Sequence, residues 1–183
     1  MQIRFATNDS YYSRFFRFIF KEPVSHVGLG FFMGTRDLMV DCTKPYGGVY
    51  SNCCWSKKHT TLYFLDIKMS EEDEFKAYHL AVESAVLTEY DWGAYYYGFL
   101  MGIRKFLFRT PLPPHNKWQA KEKFLCTEIL QPLKKILEKN GLDIRYLDLS
   151  AFTPHMLGKN MYRKWWPKDK KHTWPMGGPS GEV

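Results

Sequence analysis

The chain has 183 residues, 45% of them hydrophobic and 17% aromatic, which suffices for one compact domain with a substantial core and argues against two. No segment repeats at a fixed period, the opening MQIRFATNDS lacks the apolar core of a signal peptide, and the longest apolar run, residues 94–103, is too short to cross a bilayer. A soluble, cytoplasmic protein is expected, with export by another route left open, and the formal charge of +7 suits nucleic acid, anionic lipid or acidic polymers as partners.

In chain order, QIRFAT alternates as a first strand, Asn8-Asp9-Ser10 reads as a turn or helix cap, and residues 11–20 form a short aromatic helix broken before Pro23. Residues 25–32 alternate again, with Val27, Leu29 and Phe31 on one face and His26, Gly28 and Gly30 on the other. Residues 34–37 supply a turn, and residues 38–42 a second strand that carries Leu38, Val40 and Cys42 on one side and Met39 and Asp41 on the other. Gly47-Gly48 makes another turn and residues 60–68 a further strand. Ser70 followed by Glu71, Glu72 and Asp73 is an acidic helix start, and Phe75, Tyr78, Val82, Ala85 and Val86 continue a helical stripe to about Tyr90. The aromatic segment over residues 91–108 is ambiguous. After a Pro-rich loop and the segment around Cys126, a short strand over residues 144–147 and a turn of helix near Thr153-Pro154 are predicted. Early strands with flanking helices define an α+β class.

The stretch KEKFLCTEIL, residues 121–130, places one thiol at the mouth of a predicted helix. Ile129, Leu130, Leu133, Ile136 and Leu137 recur at helical spacing, Lys134, Lys135, Glu138 and Lys139 fill the other face, and Asn140-Gly141 ends the run. Pro132 is tolerated near a first turn, which puts the helix start within a residue or two of Cys126. Unpaired N–H groups and the positive dipole end favour a thiolate there, and such sites lower a cysteine pKa from about 8.5 to roughly 3.5–7.5. The same spacing also suits a buried structural thiol on the apolar stripe. Four cysteines, two of them adjacent (Cys53-Cys54), make a poor disulfide framework. A zinc site built from Cys42, Cys53, Cys54 and His59 is set aside, because the vicinal pair lacks the two-residue gap that lets two thiolates grip one ion.

His26 is the candidate partner. Glycines two and four residues on leave its strand face bare, so that another backbone or a ligand can approach above the imidazole, although a buried, hydrogen-bonded histidine is the commoner explanation for such a position taken singly. Asp41 shares that face. A hairpin turning at Thr35-Arg36 sets it opposite Gly30 rather than His26, so that a bulge or strand coiling is needed to bring the two together.

The ordered set Ser25-His26-Val27-Gly28-Leu29, Val40-Asp41-Cys42 with Gly47-Gly48-Val49, Tyr90-Asp91-Trp92 and Phe124-Leu125-Cys126-Thr127-Glu128-Ile129 resembles the circularly permuted NlpC-type papain-like cysteine hydrolases. The aromatic helix before SHVGL and the segment LSAFTPHML are similar to that family too, and histidine far ahead of cysteine is the specific part of the match. The resemblance implies an antiparallel sheet packed on helices, with Cys126 as nucleophile at a helix N-terminus, His26 as base and Asp41 as the group that orients it; the family more often has glutamate and alanine where this chain has Asp41-Cys42. It also implies a permuted papain-like catalytic domain over residues 1–157 with no cofactor and no metal.

The expected reaction is cleavage of an amide, in a cell-wall peptide (peptidoglycan) or a protein isopeptide, through a thioester acyl-enzyme. Its nearest rival is a thiol acyltransferase or lipid hydrolase, in which Tyr95, Tyr96, Tyr97 and Phe99 either line an acyl groove or belong to the core. Residues 158–183, GKNMYRKWWPKDKKHTWPMGGPSGEV, read as a basic, tryptophan-rich extension with a flexible tip. Arg163, Lys164, Trp165 and Trp166 there suit an anionic partner, either bases or a membrane surface, unless the tryptophans simply cover the domain and the lysines are solvated. A basic binding module, or a structural protein with a vestigial site, would need no Cys126 chemistry.

Overall fold

Capping side chains fix where the helices of this protein begin. The computed structural model describes residues 1–42, 47–113, 116–120, 123–145, 147, 149 and 153–165, with the backbone alone of residues 159 and 162–165. Its elements are β1 (Gln2–Thr7), α1 (Tyr11–Phe20), β2 (His26–Met33), β3 (Arg36–Asp41), β4 (Gly48–Ser51), α2 (Asn52–Lys58), β5 (Thr60–Asp66), α3 (Glu71–Leu87), β6 (Glu89–Tyr90), α4 (Trp92–Phe108), β7 (Lys123–Phe124), the 3-10 turn Glu128–Leu130, α5 (Lys134–Lys139) and α6 (Pro154–Trp165). Ser10, Ser70 and Asp91 accept the amides of Ser13, Asp73 and Ala94 at 3.2, 3.2 and 2.8 Å. Each satisfies a donor that a first helical turn leaves without an intrahelical partner. Asp91 thereby resolves the ambiguous segment as helix.

The five-stranded antiparallel sheet has the order β4-β3-β2-β1-β5, and β6 pairs with β7 in a separate parallel ladder. On one face Ile3, Phe5, Val27, Leu29, Phe31 and Val40 are wholly buried in a core they share with Leu133 and Leu137. Burying each such large apolar side chain contributes about 1.5–3 kcal/mol. Helix α3 lies close on this face because Ala77, Ala81 and Ala85, four residues apart, are its buried side. The opposite face is covered by α2, whose Trp55 packs with Ala6 and Met39.

Several expectations need correction. Strand β4 and helix α2 occupy a stretch where the sequence suggests only the Gly47-Gly48 turn, because four strand residues and seven helical ones carry too little periodicity to register. The strand expected over residues 144–147 does not form among the described residues; the Leu147 amide donates to the Ile144 carbonyl at 3.0 Å, closing a turn. The turn of helix near Thr153-Pro154 is the start of a longer helix, capped where Thr153 Oγ1 accepts the Met156 amide at 3.1 Å. Helix α6 runs through Leu157 without a break and buries Met161 in the core, so the expected boundary after residue 157 falls inside an element. Residues 166–183 lie outside the described residues.

Helices α1 and α4 pack side by side through Phe15 on Phe99 and Phe18 on Phe106, with ring centroids 5.3 and 5.6 Å apart. Gly102 permits that approach: a Cβ there would stand 2.5 Å from Phe20 Cζ and 3.0 Å from Ile19 Cγ2. Around Gly98, on the same helix, a Cβ would meet nothing within 4 Å. Gly102→Val is therefore expected to lower stability by about 1–3 kcal/mol through overpacking, whereas Gly98→Ala raises it by roughly 0.5–1 kcal/mol through helix propensity. Thermal denaturation of the two variants checks this, and equal shifts would contradict the close α1/α4 contact.

Candidate active site

Pro132 decides the geometry around Cys126. Lacking an N–H, it cannot close an α-helical bond onto Glu128, and that carbonyl instead accepts the Gln131 amide at 2.8 Å. The ladder then runs in three-residue steps, Leu133 to Leu130 at 3.1 Å and Lys134 to Gln131 at 3.4 Å, before α-helical bonding starts with Leu137 to Leu133 at 2.9 Å. Cys126 therefore sits in a turn just ahead of a 3-10 segment, and the expected α-helix N-terminus at the thiol is replaced by a tight turn with a six-residue helix further on. A full helix dipole does not point at the sulfur.

Side chains pin the turn instead. Buried Glu128 accepts the Leu125 amide at 2.7 Å through Oε2 and the Gln119 side-chain amide through Oε1. Thr127, also buried, donates to the Leu149 carbonyl at 2.8 Å. Upstream, Phe124 pairs with Tyr90 in the β6–β7 ladder. Glu128→Ala leaves the partly buried Leu125 N–H without its acceptor, and it is expected to cost about 1–3 kcal/mol, which chemical denaturation would read; Glu128→Gln, which keeps an acceptor, should cost less.

The hairpin β2–β3 turns at Gly34-Thr35, one residue earlier than expected, because Gly34 takes a φ of +62° that suits a two-residue turn. The register moves by two, placing Asp41 opposite Gly28 rather than Gly30, and no bulge is required. Asp41 Oδ2 lies 3.3 Å from His26 Nε2 and accepts the Trp55 indole N–H at 2.7 Å. Asp41 is wholly buried and His26 nearly so, both at one end of the sheet. The bare space expected above His26 is filled by protein: a Cβ on Gly28 would meet the Trp55 ring at 3.1 Å and Met39 Cε at 3.2 Å. Three rings stack in sequence, Trp55 on His59 at 4.6 Å between centroids and His59 on His26 at 4.9 Å. Beside them Ser25 and Ser13 hydroxyls meet at 2.5 Å, tying α1 to the entry of β2.

Burial works against charge on His26, but Asp41 and Cys126, through hydrogen bonding and charge, outweigh it and push its pKa up to about 10. Burial likewise opposes the Asp41 carboxylate, yet the contact with His26 and the Trp55 donor hold it below its ordinary range. His59 goes the other way, down to about 4, through burial first and the charge on His26 second. Its buried Nδ1 has no hydrogen-bond partner among the described residues. His26, Asp41 and His59 are also the one group among the described residues whose potential metal-ligand atoms lie within 4.8 Å of one another. Binding a cation there would require displacing the proton that Asp41 holds on His26.

The other thiols are placed differently. Cys42 is buried, donates to the Phe124 carbonyl at 3.4 Å and has its pKa raised by burial first and by the nearby Cys126 second. Cys53 and Cys54 are exposed on α2, and the Ser51 hydroxyl, 3.1 Å from Cys53 Sγ, lowers the Cys53 pKa. A general thiol reagent will therefore find these two without reporting on Cys126.

Cys126 and His26 line one cavity of about 460 Å³ between α1, α4 and the Cys126 turn. Its wall surface is mainly apolar and aromatic, including Phe16, Tyr95, Tyr97 and Met101, with Asn8, Ser10, Ser13, Ser25, Asn116 and Thr153 among the polar residues. Tyr95 and Tyr97 thus belong to a groove as well as to the packing, while Tyr96 is exposed. Tyr90, buried in the same wall, has its phenol held protonated by burial first and by the neighbouring Cys126 charge second. Trp55 and His59 belong to the site but are not among its expected residues, His59 being weighed only as a zinc ligand; Trp55 lies on α2 and His59 just past its end. Comparison with family models, curated proteins and solved structures gave no match.

The two histidines give stability opposite pH dependences. His26, raised from 6.5 to about 10, contributes stability fully present below pH 6.5 and lost as the pH rises through about 10. His59, lowered from 6.5 to about 4, contributes stability present above pH 6.5 and lost as the pH falls through about 4. Denaturant midpoints are expected to peak between these limbs. The alkaline limb should shrink in Asp41→Asn; an alkaline limb unchanged in that variant would contradict the assigned charge pair.

Proposed function

We propose that this protein is a thiol acyl hydrolase or acyltransferase, acting on a substrate with an apolar acyl chain through a thioester on Cys126. The observation that carries this reading is that thiol and imidazole share the wall of a largely apolar cavity, with a buried carboxylate behind the imidazole. The volume falls within the roughly 300–1,000 Å³ usual for small-molecule sites. The order histidine, carboxylate, cysteine along the chain agrees with a permuted papain-like catalytic domain. The mainly apolar wall surface favours an acyl chain over the polar peptide of a cell wall or an isopeptide.

In the proposed reaction, Cys126 Sγ attacks the carbonyl carbon as the thiolate, with the proton held on His26, and the carbonyl electron pair moves to oxygen. The Tyr90 phenol and the Cys126 backbone N–H are candidate donors to that oxyanion. Collapse breaks the bond to the leaving oxygen or nitrogen, which takes the proton from His26, and leaves a thioester. Water, or an acceptor hydroxyl or amine, then gives its proton to His26 and displaces the thiolate. Asp41 keeps the ring oriented and stabilises its charge throughout, and Trp55 holds Asp41.

A series of carboxylic esters and thioesters of increasing chain length tests the proposal. Turnover is expected to rise with chain length, vanish in Cys126→Ala, and fall by on the order of 10²–10⁴ in Asp41→Asn. Met101→Trp, which fills the cavity, should shift the preference to shorter chains. Cys126-dependent cleavage of peptides or peptidoglycan fragments, with no turnover of the esters, would overturn the acyl-chain reading in favour of an amidase.

A further inference from the structure

The outer faces of α1 and α4 carry an apolar surface that nothing in the described fold covers. Tyr11, Phe18, Leu107 and Phe108 are 84%, 64%, 62% and 71% exposed. The surface is continuous across the seam, because Phe15 meets Phe99, Phe18 meets Phe106, and the Lys21 ammonium lies 5.7 Å from the Phe106 ring centre. Along α4, Trp92, Tyr96, Leu100 and Leu107 follow helical spacing and are all exposed.

Charge distinguishes this patch from an ordinary protein interface. Residues 11–21 and 92–109 contain Arg14, Arg17, Lys21, Arg104, Lys105 and Arg109 and no acidic residue, on a chain whose formal charge is +7. Asp9, at the entry of α1, offsets Arg14 and Arg17 in part, at 3.9 and 3.7 Å. Exposed rings and leucines interleaved with cations match the chemistry of a lipid headgroup layer, where the apolar side chains enter the acyl boundary and the cations meet anionic lipid. No helix among the described residues is long and apolar enough to cross a membrane, so the pair would lie on the surface. The cavity that holds Cys126 is walled by the same two helices, through Tyr12, Phe16, Tyr95 and Met101.

We propose that α1 and α4 together form the face by which this protein docks on an anionic lipid bilayer, delivering a lipid acyl group from the membrane into the cavity. The docking surface stands on its own observations; the delivery of substrate rests on the acyl-transfer reading given above.

Co-sedimentation of the full chain with phosphatidylcholine vesicles containing or lacking phosphatidylglycerol tests it. Binding is expected to require the anionic lipid, to weaken in high salt, and to fall at least ten-fold in the double variant Leu107→Ser, Phe108→Ser. Neutralising Arg104 and Lys105 to Gln should weaken it by about thirty-fold, at roughly ten-fold or less per cation. All four positions are exposed, and an unchanged thermal midpoint shows that the variants fold. Cys126→Ala should bind vesicles as the unaltered chain does. Absent vesicle binding, binding indifferent to these variants, or a patch-dependent dimer in sedimentation equilibrium that does not bind vesicles would each overturn the docking face. Turnover of soluble short-chain esters, measured in parallel, separates the two readings: its persistence without vesicle binding sinks the surface alone, and vesicle binding without turnover sinks the reaction alone.

Discussion

A carboxylate with no exposure to water organises this protein's candidate site. Burying Asp41 is costly unless its charge is met by donors, and the Trp55 indole and the His26 ring are among those that meet it. Those donors come from different elements, so satisfying Asp41 locks α2 and β2 onto the end of β3. The same requirement keeps His26 charged beside Cys126, and that charge adds to burial, the larger cause, in pushing neighbouring His59 toward its neutral form. One electrostatic demand thus fixes positions and protonation states together.

The sheet's two faces divide the remaining work. Aliphatic side chains on one face make the main core with α3 and the α5 segment, while the other face keeps glycines at 28 and 30 so that Trp55 and Met39 can lie flat against the strands. A larger residue at 28 would drive Trp55 away from Asp41, coupling a packing choice on β2 to the charge balance of the site. On the far side of the thiol, α1 and α4 form a wall that belongs less to the core than to the surface. Their rings close the cavity inward and remain exposed outward.

Much of this was legible in the residues. Alternation gave β1, β2, β3 and β5, and Ser10 and Ser70 marked two helix starts. The pairing of His26 with Asp41 followed from their shared strand face, although a one-residue error in the turn, set by the positive φ of Gly34, displaced the register by two. Cys126 was singled out for a helix dipole that Pro132 prevents, and the turn is held by Glu128 and Thr127 instead. Trp55 and His59 escaped notice because their contribution depends on tertiary stacking from a short helix with no strong pattern. The apolar nature of α4 was visible, but exposure on one side and cavity lining on the other cannot be read from hydrophobicity alone, because both faces carry aromatic residues.

The central claim is that buried Asp41 holds His26 as an imidazolium next to the Cys126 thiol. Nitrogen-15 NMR titration of the His26 ring tests it most directly. The account predicts a doubly protonated ring through neutral pH that titrates well above 6.5, with the midpoint falling toward the ordinary range in Asp41→Asn. A His26 ring that is already neutral at pH 7, or one whose titration ignores that substitution, would contradict it.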